Sequence, residues 1–559
     1  MKSTTQHRLS RILAICEISL LLGYVAIIWI WRWQQIGIAP VDPDEVFFIG
    51  GVDRMARGLL PYIDHAEAHM PLVSHLLVPL WKVVREQPDF LVPFRILEWC
   101  VVGLAQFALG AVAWRFGRVR AGAWTLGLLN AFGFALERSV QIRFEPFATI
   151  LVLAAFGVFA TRRKPGFGIR EGVAAVLMGL ATASHVSGPF LVAAFALTLL
   201  ALDGGSAGVR AARSSIAFGV VAVGTWLGVF AIVLGGRLWT GLAALRDGFD
   251  FDAVYQAALK SDLTFFLPGI LRESPVTAAL CILLLITAHD AILRQRHREP
   301  ALVLAVLLAD CSLAIVLTRT PDYPQRYLPL ATYGALVAGL EVARRTKVAV
   351  EGVAGRLVPI LALLAALAVV VQARSVLSAP NLTDPEFGVK PDDEPVPRLS
   401  DGYRILPGDL LLWWDAGRAA PDAFRSRSIE EYRSVVRFLK KHSGRDDRVF
   451  TDWMNPPIRE LPALNHHGGM IDVFERSREL AASPAVQSAY RRYNPDYRSS
   501  TRAEESFAIL FDRTNTRLIA LDGSMGRAFR NDGEFRRWMT ERYDLMVEPR
   551  SEIVFAVRR

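Results

Sequence analysis

The chain has 559 residues, 52% of them hydrophobic and 21% charged, with a mean hydropathy of +0.30. That is more apolar than a soluble domain of this size needs to fill its core, which excludes an ordinary soluble globular protein. The excess of 63 Lys plus Arg over 54 Asp plus Glu lies in short clusters between apolar runs, the pattern of cytoplasmic loops and not of a nucleic-acid-binding face, so no nucleic-acid partner is expected.

Lys2, Arg8 and Arg11 precede an apolar run from Ile12 to Trp33 that is too long for a cleaved signal and has no small-residue cleavage site. It is read as a retained signal-anchor helix. Further apolar stretches occupy 90–114, 121–136, 147–161, 172–184, 188–202, 214–235, 275–293, 301–318, 327–343 and 357–373. Ser184, His185, Ser187, Gly188 and Pro189 interrupt the middle of 172–202, which predicts two short helices meeting at a turn. The predicted fold is therefore a multispanning α-helical membrane protein with about eleven transmembrane helices and a small C-terminal α/β extracytoplasmic domain. With eleven spans, the clusters at Arg115/Arg118/Arg120, Arg162/Arg163/Lys164/Arg170, Arg210/Arg213, Arg294/Arg296/Arg298 and Arg344/Arg345/Lys347/Arg356 all share the cytoplasmic side with the N-terminus. The segments 34–88, 137–146, 236–274, 319–326 and everything after 374 then face outward.

Residues 1–373 form the expected transmembrane domain, with 34–88 as its first extracytoplasmic loop; 374–406, rich in Pro, Asp and Ser, read as a linker, and 407–559 as the α/β domain. In that domain 448–451, 517–522 and 552–557 look like strands and 428–440 like an amphipathic helix. Cys16, Cys100, Cys281 and Cys311 all lie in apolar segments without disulfide or zinc spacing.

The first loop is the most informative segment. Val46, Ile49, Val52, Met55 and Leu59 recur at helical spacing, as do Leu72, Leu76, Leu80 and Val83, which suits two helices lying on a membrane surface. Pro43 holds Asp42 extended, so Asp44 and Glu45 sit at the N-terminus of the first surface helix, where the helix dipole favours ionised carboxylates. A carboxylate kept ionised there can accept the proton of an attacking hydroxyl; it also suits a plain helix cap.

Asp44-Glu45, Gly58, Pro61-Tyr62, Asp64, His69 and Met70-Pro71-Leu72 together resemble the first extracytoplasmic loop of the GT-C superfamily, and more narrowly its bacterial protein-mannosyltransferase-like group. The resemblance covers residues 10–340, and Met70 replaces the first proline usual in that group's turn. It implies an inverting glycosyltransferase that takes its sugar from a polyprenyl-phosphate donor, with Asp44, beside Glu45, as the catalytic base. No glycine-rich nucleotide fingerprint competes with that reading, and no metal site is called. Asp42-Pro-Asp44 has the spacing of a metal-binding pair but is read as coincidental; no cofactor is required, and a divalent cation there is left open.

A departing lipid phosphate carries negative charge that arginine suits well. Arg143 in ERSVQIRFEPF, Arg326 in PDYPQRYLPL and Lys260 are the candidates for meeting it, although each equally suits snorkelling at an interface. Tyr62, Asp64, His69, Glu145, His185 and Tyr327 are expected to contact substrate, while His65 reads as interface polarity. Glu17 is read as snorkelling to the cytoplasmic end of its helix, Arg95 and Glu98 as mutual partners one turn apart, and Asp310 has no partner visible in the sequence. Trp413, Trp414, Trp453 and the turn from Asn465 to Gly469 could offer an acceptor surface or simply pack a core. The expected partners are the donor lipid, surrounding membrane lipid and a glycan, lipid or protein acceptor; the expected place is the bacterial inner (plasma) membrane. A polyprenyl-linked lipid flippase or transporter is the alternative, though the spans show no repeated halves, and a non-enzymatic assembly or sensor protein is a third.

Overall fold

The computed structural model describes residues 2–39, 41, 43–64, 70–85, 87, 89–133, 135, 139, 141–162, 164–203, 208–246, 274–294, 299–318, 327–350, 357–378, 403–404, 410–411, 428–444, 447–450, 508–509, 511–521, 523–548, 550–551 and 553–559. They are mainly helical: α1 (Lys2–Gln35), α2 (Pro43–Ala56), α3 (Pro71–Val84), α4 (Leu91–Asn130), α5 (Glu145–Phe159), α6 (Ile169–Ser184), α7 (Gly188–Asp203), α8 (Gly208–Leu234), α9 (Pro275–Leu293), α10 (Pro300–Thr318), α11 (Leu328–Val350) and α12 (Leu357–Ser378). Every predicted apolar stretch contributes a helix. Four helices, Arg8–Gln35, Leu91–Asn130, Gly208–Arg246 and Pro275–Leu293, are long and apolar enough by themselves to cross a membrane.

The contacts divide the chain into two compact units, one of Met1–Ile36, Arg95–Ile232 and Ser261–Leu382, the other of Gly37–Phe94, Val233–Lys260 and Thr383–Arg559. The first is an apolar helical bundle whose continuous core runs through Leu21, Trp124, Phe156, Phe195, Leu304 and Leu336. α4 is broken at Arg118, where φ is +62°, so two apolar halves run either side of the bend. Small residues let the halves approach closely: a Cβ on Gly122 would stand 3.2 Å from the Gly110 carbonyl oxygen. The predicted break in 172–202 is present, with α6 ending at Ser184, His185 extended, and α7 starting at Gly188.

Several charges inside the bundle have partners there. Glu17 does not snorkel; it is wholly buried, accepting from Arg120 Nε at 2.8 Å and Trp124 Nε1 at 2.5 Å and so tying α1 to α4. Snorkelling fails because a neutralising cation and an indole donor are closer than water. Asp310, unexplained in the sequence, has His289 Nε2 3.0 Å from its Oδ2. Arg95 is buried and donates to the Ile36 carbonyl at 3.3 Å.

In the second unit, strands β1 (Tyr403–Arg404), β2 (Val449–Phe450), β3 (Leu518–Ala520), β4 (Tyr543–Val547) and β5 (Val554–Arg558) form one sheet in the order β1-β4-β5-β3-β2, with β2 and β3 parallel and the other pairs antiparallel. Alternation along the strands sends Leu518, Ala520, Phe555 and Val557 to helix α13 (Ile429–His442) and Ile519, Val554, Ala556 and Leu545 to helices α14 (Gly523–Asn531) and α15 (Gly533–Arg542). α13 starts in a capping box, Ser428 and Glu431 bonding each other's backbone amides at 3.2 and 2.9 Å.

The tightest helix contact in the bundle generates a test. A side chain at Gly339 of α11 would meet Thr125 Oγ1 and stand 2.6 Å from the Ala121 carbonyl oxygen. Overpacking costs about 1–3 kcal/mol. Gly339→Val is therefore expected to lower the melting temperature in detergent, read by scanning fluorimetry, whereas Gly224→Val, with nothing within 4 Å of its Cβ, should not.

Candidate functional site

The loop residues of the second unit are held by one hydrogen-bonded cluster. Asp53, buried on α2, accepts from Trp81 Nε1 of α3 at 2.8 Å and pairs with Arg57 Nη2 at 2.6 Å. Burial pushes the Asp53 carboxyl above the ordinary carboxylate range, against the pull of Arg57, the Trp81 N–H and Arg54. α3 buries Val73, Leu77, Trp81 and Val84, while Leu76 and Val83 of the predicted stripe are 59% and 73% exposed. Two apolar faces thus serve two surroundings, protein on one side and an apolar exterior on the other. Trp81 meets Phe90 edge-on at 5.1 Å, Phe90 meets Tyr432 at 5.7 Å, and Arg433 pairs with Asp89, so α13 of the sheet region packs on the loop.

Most of the resembling loop motif forms the exit from α2. Gly58 takes φ +83° with its N–H on the Met55 carbonyl at 2.9 Å, the left-handed helix end that glycine suits. Tyr62, buried, has φ +66°, a strained value for an aromatic residue, and Asp64 Oδ2 caps the turn by accepting from the Leu60 amide at 2.8 Å. Asp64 also lies 3.7 Å from Arg237. Asp44 and Glu45 are in the first turn of α2, with Glu45 buried. The Asp44 side chain, Asp42, His65, His69, Lys260, Arg326, Trp413, Trp414, Trp453 and 465–469 lie outside the described residues.

In the bundle, the predicted Glu145 and His185 come together, and the predicted Arg143 and Tyr327 are buried. Arg143, 1% exposed, donates from Nη2 to Gln141 Oε1 at 3.0 Å. Glu145 begins α5 with Pro146 behind it, a sequence suited to a helix start, and its Oε1 lies 3.8 Å from His185 Nε2. His185 Nδ1 accepts from the Ser187 amide at 3.3 Å, which leaves the ring proton on Nε2, facing Glu145. Arg143 lines an open cavity of about 50 Å³ together with Arg32, Gln106, Ser139, Thr149 and Thr332, the remaining wall being mainly apolar. Gln106 is fixed by a reciprocal amide pair with Asn130, at 3.2 and 3.1 Å.

Arg32 was missed in the sequence because it sits between Trp31 and Trp33, where a terminal arginine reads as snorkelling. Its signal was available: at helical spacing it falls on the face of buried Leu21 and Ile28. Among the described residues, no group of three His, Cys, Asp or Glu side chains is placed to hold a metal ion.

No family model and no curated protein matches the sequence. Among solved structures, the chain is similar to ArnT from Cupriavidus metallidurans bound to undecaprenyl phosphate, with a TM-score of 0.51 and 10% identity over 96% of this chain and 97% of that one. The chain shares its overall fold with that protein. The chain is also similar to the Archaeoglobus fulgidus oligosaccharyltransferase in complex with Zn and sulfate, with a TM-score of 0.46 and 12% identity over 96% of this chain and 71% of that one. At 10% identity the likeness to ArnT concerns the fold alone, and the chemistry must be argued from the site.

The Asp53 cluster separates charge from hydrogen bonding. Asp53→Ala strips partners from Trp81 and two arginines, a loss of about 3–5 kcal/mol for a broken buried pair. Asp53→Asn keeps an acceptor for Trp81 and removes a carboxylate that burial disfavours, so it should cost much less. Limited proteolysis of the first loop is expected to accelerate strongly for the alanine variant and slightly for the asparagine variant.

Proposed function

We propose that the chain is an inverting glycosyltransferase that moves a hexose or pentose from a polyprenyl-phosphate donor to an envelope glycan, lipid or protein. The observation that carries this reading is the cavity in a GT-C fold where buried Arg143 lies in a mainly apolar wall. A fixed guanidinium beside apolar surface complements an anionic headgroup on a hydrocarbon tail. The proposed setting is the outer face of a bacterial inner membrane, with the N-terminus cytoplasmic and the C-terminal region extracytoplasmic.

In this mechanism Asp44, in the first turn of α2, accepts the proton of the acceptor hydroxyl as its oxygen attacks the anomeric carbon. The bond from that carbon to the phosphate oxygen breaks on the opposite face, and the electron pair leaves with the phosphate. Arg143, with Arg326 and Lys260, meets the charge that develops there. Glu145 and His185, within 3.8 Å of each other, orient the sugar, with Tyr62, Asp64, His69 and Tyr327 as further substrate contacts and Glu45 supporting the base. The proposed reaction requires no cofactor; undiminished transfer after adding a chelator to the assay is the expected result, and loss of transfer would point to a divalent cation.

The deciding experiment offers purified protein a panel of radiolabelled polyprenyl-phosphate sugars and membrane extract. A positioned base supplies about 10²- to 10⁴-fold in rate, so Asp44→Asn should lose at least that much donor consumption while keeping its melting temperature. A folded Asp44→Asn protein at full activity removes Asp44 from the mechanism. Movement of donor lipid between leaflets without sugar transfer would mark a flippase.

A further inference from the structure

Arg32 ends the apolar helix α1, is 1% exposed, and lines the same cavity as Arg143. Its guanidinium carbon lies 5.2 Å from the Trp29 ring centre, while its Nε and Nη1 are buried without a hydrogen-bond partner among the described residues. A ring face offsets only part of the cost of a desolvated cation, which is several kcal/mol for an isolated ion. Elsewhere in the bundle such charges meet counter-charges directly, as Glu17 meets Arg120 and Arg162 meets Asp203 at 2.7 Å. The described residues lining the cavity include no carboxylate. Of its neutral polar groups, Thr149 and Thr332 donate their hydroxyl protons to the Glu145 and Leu328 carbonyls at 2.9 and 2.8 Å, and Gln106 keeps one amide proton beyond its bond to Asn130, so the two arginines are the main donors in the wall.

We infer that Arg32 is an anion-binding residue, taking the phosphate of a prenyl monophosphate lipid into this cavity. The choice of lipid rests on the glycosyltransferase reading; the anion site rests on Arg32 and its surroundings. The apolar part of the wall, including Val102, Leu109, Leu129 and Leu328, gives the first isoprene units a surface that free phosphate would not use.

The test measures binding without turnover, so it can fail or succeed independently of the enzyme activity. Full-length protein in phosphatidylcholine nanodiscs is titrated with a prenyl monophosphate, and separately with inorganic phosphate, by calorimetry. Wild type should bind the lipid, inorganic phosphate should bind far more weakly, and Arg32→Gln should weaken lipid binding by about tenfold to a hundredfold, the loss expected for a charge-assisted hydrogen bond. Arg32→Lys should fall between them, and Arg294→Gln, at an exposed pair with Asp290, should bind as wild type does. The ligand-free melting temperature separates a binding cation from a structural one: Arg32→Met should leave it unchanged or raise it, because an uncompensated buried charge is removed. Undiminished lipid binding by Arg32→Gln, equal affinity for inorganic phosphate, or a clear fall in the melting temperature of Arg32→Met would each overturn the inference. If sugar transfer proceeds while Arg32→Gln binds normally, the enzyme reading stands and this one falls; Arg32-dependent binding without any transfer gives the reverse.

Discussion

A charge taken out of water must be neutralised where it lies, and this constraint organises the helical unit. Glu17 accepts from Arg120 and Trp124, Arg162 donates to both Glu171 and Asp203, and Glu341 accepts from Arg344 and Arg345. The first grouping joins helices distant in sequence and the second ties the end of α5 to the successive helices α6 and α7, so they specify which helices are neighbours as well as satisfying their own charge. Apolar matching inside a membrane cannot do this unaided, since lipid tails are as apolar as leucine. The fold therefore depends on a small set of polar contacts set in a large apolar core.

Against that background the cavity wall is unusual. Arg32 and Arg143 are large, wholly buried cations facing one space, and Glu145, two residues after Arg143, lies 3.8 Å from His185. The short spacing from Gln141 through Arg143 to Glu145 and Pro146 lets a single helix start present an arginine, a carboxylate and a helix dipole together. Fixed positive charge in a mainly apolar wall is the common element behind both the proposed reaction and the proposed lipid phosphate site.

Much of the helical framework was legible in the sequence, because apolar runs of span length report directly on the solvent they face. The broken hairpin at Ser184 to Pro189 was legible for a different reason, since Gly and Pro interrupt helices wherever they occur. In the sheet region, β5 and α13 were visible from alternation and amphipathicity, while β4, reading YDLMV, was hidden by its mixed polarity. The site was only partly readable. Arg143, Glu145 and His185 could be named as types in suggestive loops, but the pairing of Asp310 with His289, the burial of Glu17 and the inward course of Arg32 depend on which helices meet. Likewise the edge-on contact of Phe90 with Tyr432 joins residues far apart in the chain, and no local pattern announces it.

α3 presents protein-facing residues on one side, while its exposed side carries the apolar Leu76 and Val83 beside His75 and Lys82. Its position is consequently fixed by two media at once. Trp81 anchors it to Asp53, while whatever apolar material surrounds the molecule supports its outer side. The choice of amphiphile during purification thus becomes part of the architecture: a micelle too small to cover that outer side would strain the loop that begins with Asp44, even with every helix of the bundle intact.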